Sequence, residues 1–334
     1  MGIDLPIIWA VIILFALMMY VVMDGFDLGI GMLFAFVTDA DERDLMVHAV
    51  APIWDGNETW LVLGGAGLLA AFPLAYSVLL SAFYLPILLM LLGLIFRGVA
   101  FEFRFKATPA HRRAWDAAFF GGSLVAALAQ GVILGAFIDG VPVVGRAYGG
   151  SQFAWLTAFS VFTGFGLLIA YALLGCTWLI YKTRGVLQTR MVALARPFTW
   201  ALISVIAMVS VTTPLRHPVI FHRWSTLPAS LWFAPVPLLV AAAAWRLLRS
   251  LRAAPQLQPF GLTLGLIFLC YSGFGISLWP NIVPPSISVR EAAGSAQSLG
   301  FTLVGALLII PMTLVYTAWG YYVFRGKVEP FSGH

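Results

Sequence analysis

Charge is scarce in this chain: Asp, Glu, Lys and Arg make up 10% of its 334 residues, where a soluble domain carries about a quarter. With 61% hydrophobic residues and a mean hydropathy of +0.95, a water-soluble fold of this size could not cover its own apolar surface, which excludes the soluble enzyme classes. Disorder is excluded as well, because it needs low hydrophobicity and high charge. Thiols are few. Cys176 and Cys270 each sit inside an apolar run; a zinc site or a disulfide framework needs more, or clustered, thiols, and both read as packing residues. Histidine is absent from the middle of every apolar run: His48, His111, His217, His222 and His334 fall in connections or at the end. A haem held by two histidines inside this chain's own bundle is therefore not expected. His217 and His222 share one connection but lack a nearby carboxylate, which makes them a poor metal pair, and no catalytic metal is expected elsewhere. The chain has no Walker loop, no nucleophile elbow and no dinucleotide fingerprint.

What is present is long apolar runs, not the short alternating segments of a porin-type barrel. A hydrocarbon core about 30 Å thick needs roughly 20 helical residues. Nine runs meet that need, at 6–36, 54–72, 75–102, 115–138, 153–181, 197–214, 229–249, 259–279 and 297–324. The expectation is an all-α polytopic membrane protein of about nine transmembrane helices, with residues 1–334 forming a single transmembrane helical domain. The first run has no basic segment before it and reads as a span, not a cleaved signal. Fourteen of the nineteen Lys and Arg residues fall on one side of this map; Arg146, Arg216, Arg223 and Arg290 fall on the other, and Arg97 lies within a span. The basic side is cytoplasmic, so the N-terminus is expected outside and the C-terminus inside. A net charge of +5 spread over many loops fits this arrangement and gives no sign of nucleic-acid binding. Trp9, Trp155, Trp224, Trp232 and Trp279 read as an outer aromatic belt; Trp54, Trp115 and Trp319 read as an inner one. Gly25-x-x-x-Gly29, Gly131-x-x-x-Gly135 and the Gly64, Gly65, Gly67 cluster read as places of close helix approach.

Ionisable residues in or next to spans are costly, and each is a candidate for function. Asp24 and Asp27 lie three apart on one helix face, roughly 28 Å of helix from Leu5. That depth is near the cytoplasmic boundary, either as an interfacial, partly hydrated pair or as the mouth of a proton path. Asp55, followed three residues later by Glu58, resembles a capping box opening the second span; that role is compatible with proton handling. Arg97 sits one to two turns inside the third span and needs either an acid partner, among Asp24, Asp27, Asp55 and Glu58, or a path to the interface for its head group. Glu102 and Lys106 are spaced as a surface ion pair.

These residues carry a resemblance. Asp24-Gly25-Phe26-Asp27-Leu28-Gly29, then Ala51-Pro52-Ile53-Trp54-Asp55-Gly56-Asn57-Glu58-Thr59-Trp60, then Phe96-Arg97-Gly98-Val99-Ala100-Phe101-Glu102-Phe103-Arg104, with Tyr316-Thr317-Ala318-Trp319 near the end, resemble subunit II of cytochrome bd-type quinol oxidases. The order and spacing match along the whole chain, most specifically over the first 105 residues. Spans five to seven match in hydropathy alone. The length and the short connection at 215–228 look more like the cyanide-insensitive branch. The resemblance implies a multi-pass protein of the bacterial inner membrane, part of a terminal oxidase that oxidises ubiquinol or menaquinol and reduces O₂. It implies that haem b and haem d belong to a partner, subunit I, and that this chain helps to bring protons from the cytoplasm. Carried over, Asp24 and Asp55 are the proton-pathway candidates, and Asp27, Trp54, Asn57, Glu58, Arg97 and Glu102 are supporting. Some members hold a quinone in this subunit or add a small single-span subunit; nothing in the sequence locates either. The chain shows no catalytic site of its own. The alternatives are a proton-coupled secondary transporter, which would favour midplane acids on broken helices and an internal repeat, and a purely structural subunit.

Overall fold

The computed structural model describes residues 4–227, 230–231, 235–252 and 257–328; the side chains of Val219 and Arg223 are also outside the described set. Trp232, His334 and the start of the seventh expected span fall outside it. The described chain is almost entirely helical. In order it forms α1 (Leu5–Leu33), α2 (Ala40–His48), α3 (Trp54–Ala71), α4 (Pro73–Ala82), α5 (Tyr84–Arg104), α6 (Pro109–Asp139), α7 (Ala158–Lys182), α8 (Gly185–Arg216), α9 (Pro218–Ser225), α10 (Pro235–Ser250), α11 (Gln258–Leu278), α12 (Val289–Ala292) and α13 (Ala296–Val323). Two short antiparallel hairpins, β1 (Val143–Val144) with β2 (Ala147–Tyr148) and β3 (Asn281–Val283) with β4 (Ile287–Ser288), lie in the connections α6–α7 and α11–α12.

Seven of these helices, α1, α5, α6, α7, α8, α11 and α13, are long and apolar enough to cross a membrane. α3 has 18 residues, but its first five include Asp55, Asn57 and Glu58; the described part of α10 has 16. The expected single run 75–102 is divided at Phe83, between α4 and α5. Pro86 explains the division: without an N–H it cannot bond the carbonyl of Ala82, and its ring would clash there. The opposite happens at 197–214, where α8 begins twelve residues earlier and passes through Pro197. The carbonyl that Pro197 leaves unpaired belongs to Ala193, an exposed residue, so water can satisfy it.

α1 is the centre of the bundle, packed by α3, α6, α7, α11 and α13. Its crossing with α7 depends on glycine. A Cβ on Gly29 would lie 1.9 Å from the Tyr171 carbonyl oxygen, and one on Gly175 would lie 2.7 Å from the Gly29 carbonyl carbon. The Gly131–Gly135 pair brings α6 equally close to Gly164 and Thr163 of α7. The third glycine group differs: Gly64 and Gly67 have ordinary or slightly tight neighbours, while Gly65 has nothing within 4 Å. An unheralded crossing, Gly93 of α5 against Gly122 of α6, is as tight as the first two.

Trp9 is not a belt residue. It is buried, and its indole N–H donates to the Leu299 carbonyl at 3.0 Å, tying α1 to α13. Trp319 is exposed, as an interfacial residue would be. Cys176 is buried, Cys270 is partly buried, and both thiols are free. After α13 the chain is strapped to the end of α7: Lys182 Nζ donates to the carbonyls of Phe324 and Gly326, and Lys327 Nζ donates to those of Ile180 and Thr183. Burial, with Arg184 nearby, holds the Lys327 amine below the usual lysine range.

Candidate functional site

The three sequence motifs converge on one cluster. α1 contributes Asp24 and Asp27, and both are wholly buried. The pair is therefore not partly hydrated: α1 continues past Asp27 to Leu33, and the helices around it cover both side chains. α5 contributes Arg97, also wholly buried. Its guanidinium does not reach for the interface. Nη1 donates to Asp24 Oδ1, and Nη2 donates to Glu58 Oε2 at 2.8 Å. A planar fork suits this task because its two nitrogens meet two separate acids. Trp54 lies with its ring 5.9 Å from the guanidinium carbon and stacks on Phe101, their centroids 5.0 Å apart. The indole thus closes one side of the guanidinium with an electron-rich surface.

Asp27 takes no part in that ion pair. Its Oδ2 accepts from Asn57 Nδ2 at 2.8 Å, and the same nitrogen lies 3.4 Å from the Met23 carbonyl oxygen. Asn57 Oδ1 in turn accepts from the Tyr321 hydroxyl of α13 at 2.9 Å. Tyr321 also walls a cleft of roughly 190 Å³ whose other lining includes Pro52, Trp178, Lys182 and Phe324. Three atoms of the cluster lack a hydrogen-bond partner among the described residues: Asp24 Oδ2, Asp27 Oδ1 and Arg97 Nε. A buried oxygen with no donor is expensive, and carboxylates left in that state are poised to take a proton or a water.

Asp55 and Glu58 lie at the surface of the described chain. The Glu58 side chain retains 28% of its exposure. Asp55 is exposed, and it is not the cap that its spacing implied. The N-cap of α3 is Ile53, no side chain caps the helix, and Asp55 stands at its second residue, where its charge still favours the helix N-terminus. Glu102 is exposed and forms no ion pair with Lys106 among the described residues. α5 ends at Arg104, so the helical i, i+4 geometry that would join them stops short of Lys106.

Sequence reasoning missed two features. One is the ion-pair network of Arg104, which donates to Asp116 at 2.5 Å and to Asp44 at 2.6 Å, with Arg43 on Asp116 and Arg112 on Asp44. It clamps α2 across the ends of α5 and α6, and the only hint of it was that these charges shared the cytoplasmic side of the hydropathy map. The other is a set of polar side chains in the spans, Tyr20, Gln130, Tyr171 and Tyr321, which carry no formal charge and drew no attention. Among the described histidines, His48 closes α2, His111 opens α6, His217 separates α8 from α9, and His222 lies within the short helix α9. That placement does not fit a haem held between this chain's own spans.

Comparisons with known proteins agree with this architecture. Residues 5–324 match the family described as cytochrome bd terminal oxidase subunit II. The chain is 31% identical to the cytochrome bd-I ubiquinol oxidase subunit 2 of Escherichia coli K12, over 97% of this chain and 95% of that one. It is 27% identical to the cytochrome bd ubiquinol oxidase subunit 2 of Bacillus subtilis, over 96% of each. A chain of the bd oxidase structure from Geobacillus thermodenitrificans shares the fold with a TM-score of 0.73 at 16% identity, covering 96% of this chain and 99% of that one. These matches do not favour the transporter reading. This membrane-helical chain, with its acids gathered on one buried guanidinium, belongs to the cytochrome bd terminal oxidase subunit II family and is a subunit of a quinol oxidase complex.

Proposed function

We propose that this chain is the haem-free half of the oxidase and leads protons from the cytoplasm toward a haem-bearing partner subunit I. The supporting observation is the shared guanidinium: Arg97 holds a partly exposed acid, Glu58, and a buried one, Asp24, on neighbouring nitrogens. Asp55, exposed at the start of α3, collects a proton from solvent. Glu58 receives it at the rim. Asp24, wholly buried, accepts it in the interior. Arg97 does not itself transfer a proton. It keeps the two carboxylates together and offsets the charge of whichever is ionised, so a proton passing between them leaves the net charge unchanged. Trp54 shields that exchange. Asn57, held by Tyr321, anchors Asp27 beside it.

In this reading α3 and α10 complete a bundle of nine spans, with the N-terminus outside and the acidic mouth on the cytoplasmic side of the inner membrane. Haem b and haem d, carried by subunit I, supply the electron transfer and oxygen chemistry. Reduction of O₂ consumes protons; drawing them from the cytoplasm while quinol releases its own outside separates charge without a pump.

The test is Asp24→Asn in the assembled complex. Quinol oxidase turnover and proton uptake should fall together while the haem spectrum persists. Unchanged uptake in both Asp24→Asn and Asp55→Asn would leave this chain a structural subunit.

A further inference from the structure

Above Asp24, toward the start of α1, three uncharged side chains from three helices form a chain of hydrogen bonds that the proton route does not use. The Tyr171 hydroxyl of α7 donates to Gln130 Oε1 of α6 at 2.9 Å. Gln130 Nε2 donates to the Tyr20 hydroxyl oxygen of α1 at 2.7 Å. Tyr171 is wholly buried and Tyr20 nearly so. Tyr20 lies one helical turn before Asp24, a spacing that places the two on one face of α1, and Asp24 Oδ2 has no hydrogen-bond partner among the described residues.

The direction of this chain follows from counting donors and acceptors. A side-chain amide offers one acceptor oxygen and one donor nitrogen, and either orientation can join two hydroxyls. In the orientation described, Tyr171 spends its proton on Gln130, the amide spends one of its protons on Tyr20, and the Tyr20 proton is left for Asp24 Oδ2. In the reversed orientation, Tyr20 would spend its proton on Gln130. Tyr171, whose hydroxyl now donates to Gln130, would lose that acceptor, and Tyr20 would have no proton left for Asp24 Oδ2. Leaving a buried hydroxyl or carboxylate oxygen unpaired is costly, which favours the first orientation.

We infer that Tyr20 is a positioning residue for Asp24: Gln130 and Tyr171 fix its hydroxyl as a hydrogen-bond donor to Asp24 Oδ2. The chain ends at Tyr171, and its amide link is a poor proton carrier, so it does not extend the route. It serves instead to hold the carboxylate that Arg97 grips by the other oxygen. With both oxygens held, Asp24 keeps a fixed orientation toward Glu58 through each exchange.

The hydrogen bond itself does not depend on the proton-uptake reading, but its effect on turnover does, and the experiment separates the two. The purified complex is labelled with carbon-13 aspartate, and its infrared difference spectrum is recorded. The Asp24 carboxylate band is identified by its loss in Asp24→Asn. Tyr20→Phe should shift that band and lower turnover several-fold with the haem spectrum intact. The double variant should be no slower than Asp24→Asn alone, because Tyr20 acts through Asp24. An unmoved band, or losses that multiply in the double variant, would overturn the inference. A shifted band with Asp24→Asn turnover unchanged would uphold the hydrogen bond and overturn the proton-uptake reading. Should Tyr20→Phe fail to assemble, Gln130→Leu and Tyr171→Phe carry the same test: each should shift the Asp24 band, and a band unmoved in both would overturn the inference.

Discussion

Arg97 and Asp24 stand 73 positions apart in the chain and form an ion pair in which neither side chain has any exposure. A pair so placed contributes less to net stability than its geometry suggests, because both charges have been taken out of water. Breaking it is another matter. Arg97→Ala leaves Asp24 and Glu58 without a counter-charge, and the expected loss is about 3–5 kcal/mol, read as a lower melting temperature and a lower yield of the purified complex. Arg97→Lys should rescue little, because one ammonium cannot reproduce two nitrogens fixed in a plane.

Asp55 allows stability and activity to be separated. It is exposed and makes no cap, so Asp55→Asn should change stability by under about 0.5 kcal/mol. Any fall in proton uptake can then be assigned to its charge. Asp24→Asn should cost more, at least about tenfold in turnover. Steady-state quinol oxidation, scaled to haem content, measures both.

Asn57 joins α3 to α1 and α13 through two hydrogen bonds, to Asp27 and from Tyr321. Asn57→Leu removes the donor and leaves Asp27 buried with neither oxygen paired by a side chain. The expected cost is about 1–3 kcal/mol. Tyr321→Phe frees only the Asn57 oxygen and should cost less. Thermal melting of the two variants gives the ranking, and equal losses would show that Asn57 acts through packing alone.

The glycines make a further contrast. Gly29→Ala would force a methyl group against the backbone of α7 at Tyr171, and neither backbone can yield without moving a helix. Overpacking of this kind costs about 1–3 kcal/mol or more. Gly65→Ala, at a position with nothing within 4 Å, is the matched control and should leave melting unchanged. Both variants are read in the same thermal scan.

Composition and run length sufficed to place the chain in the membrane, because hydrocarbon solvates neither charge nor free backbone and so writes its demands into local sequence. The same logic marked Asp24, Asp27, Glu58 and Arg97 as residues in need of explanation, since a buried charge is rare enough to stand out. Partnership was not legible. Asp24 and Asp27 differ by about 60° around the helix axis, little enough to share a face by spacing, yet enough for α5 to claim one and α3 the other. The Asp55–Glu58 spacing resembled a cap, but α3 begins at Trp54, one residue before Asp55, so the acid falls inside the helix it would have capped. Tyr20, Gln130, Tyr171 and Tyr321 carry no formal charge and left no periodic trace; they became visible only when α1, α3, α6, α7 and α13 were assembled around the cluster. The reason is range: the solvent's requirements act on each residue by itself, whereas a hydrogen bond between positions 264 apart, as from Tyr321 to Asn57, exists only once the helices have packed.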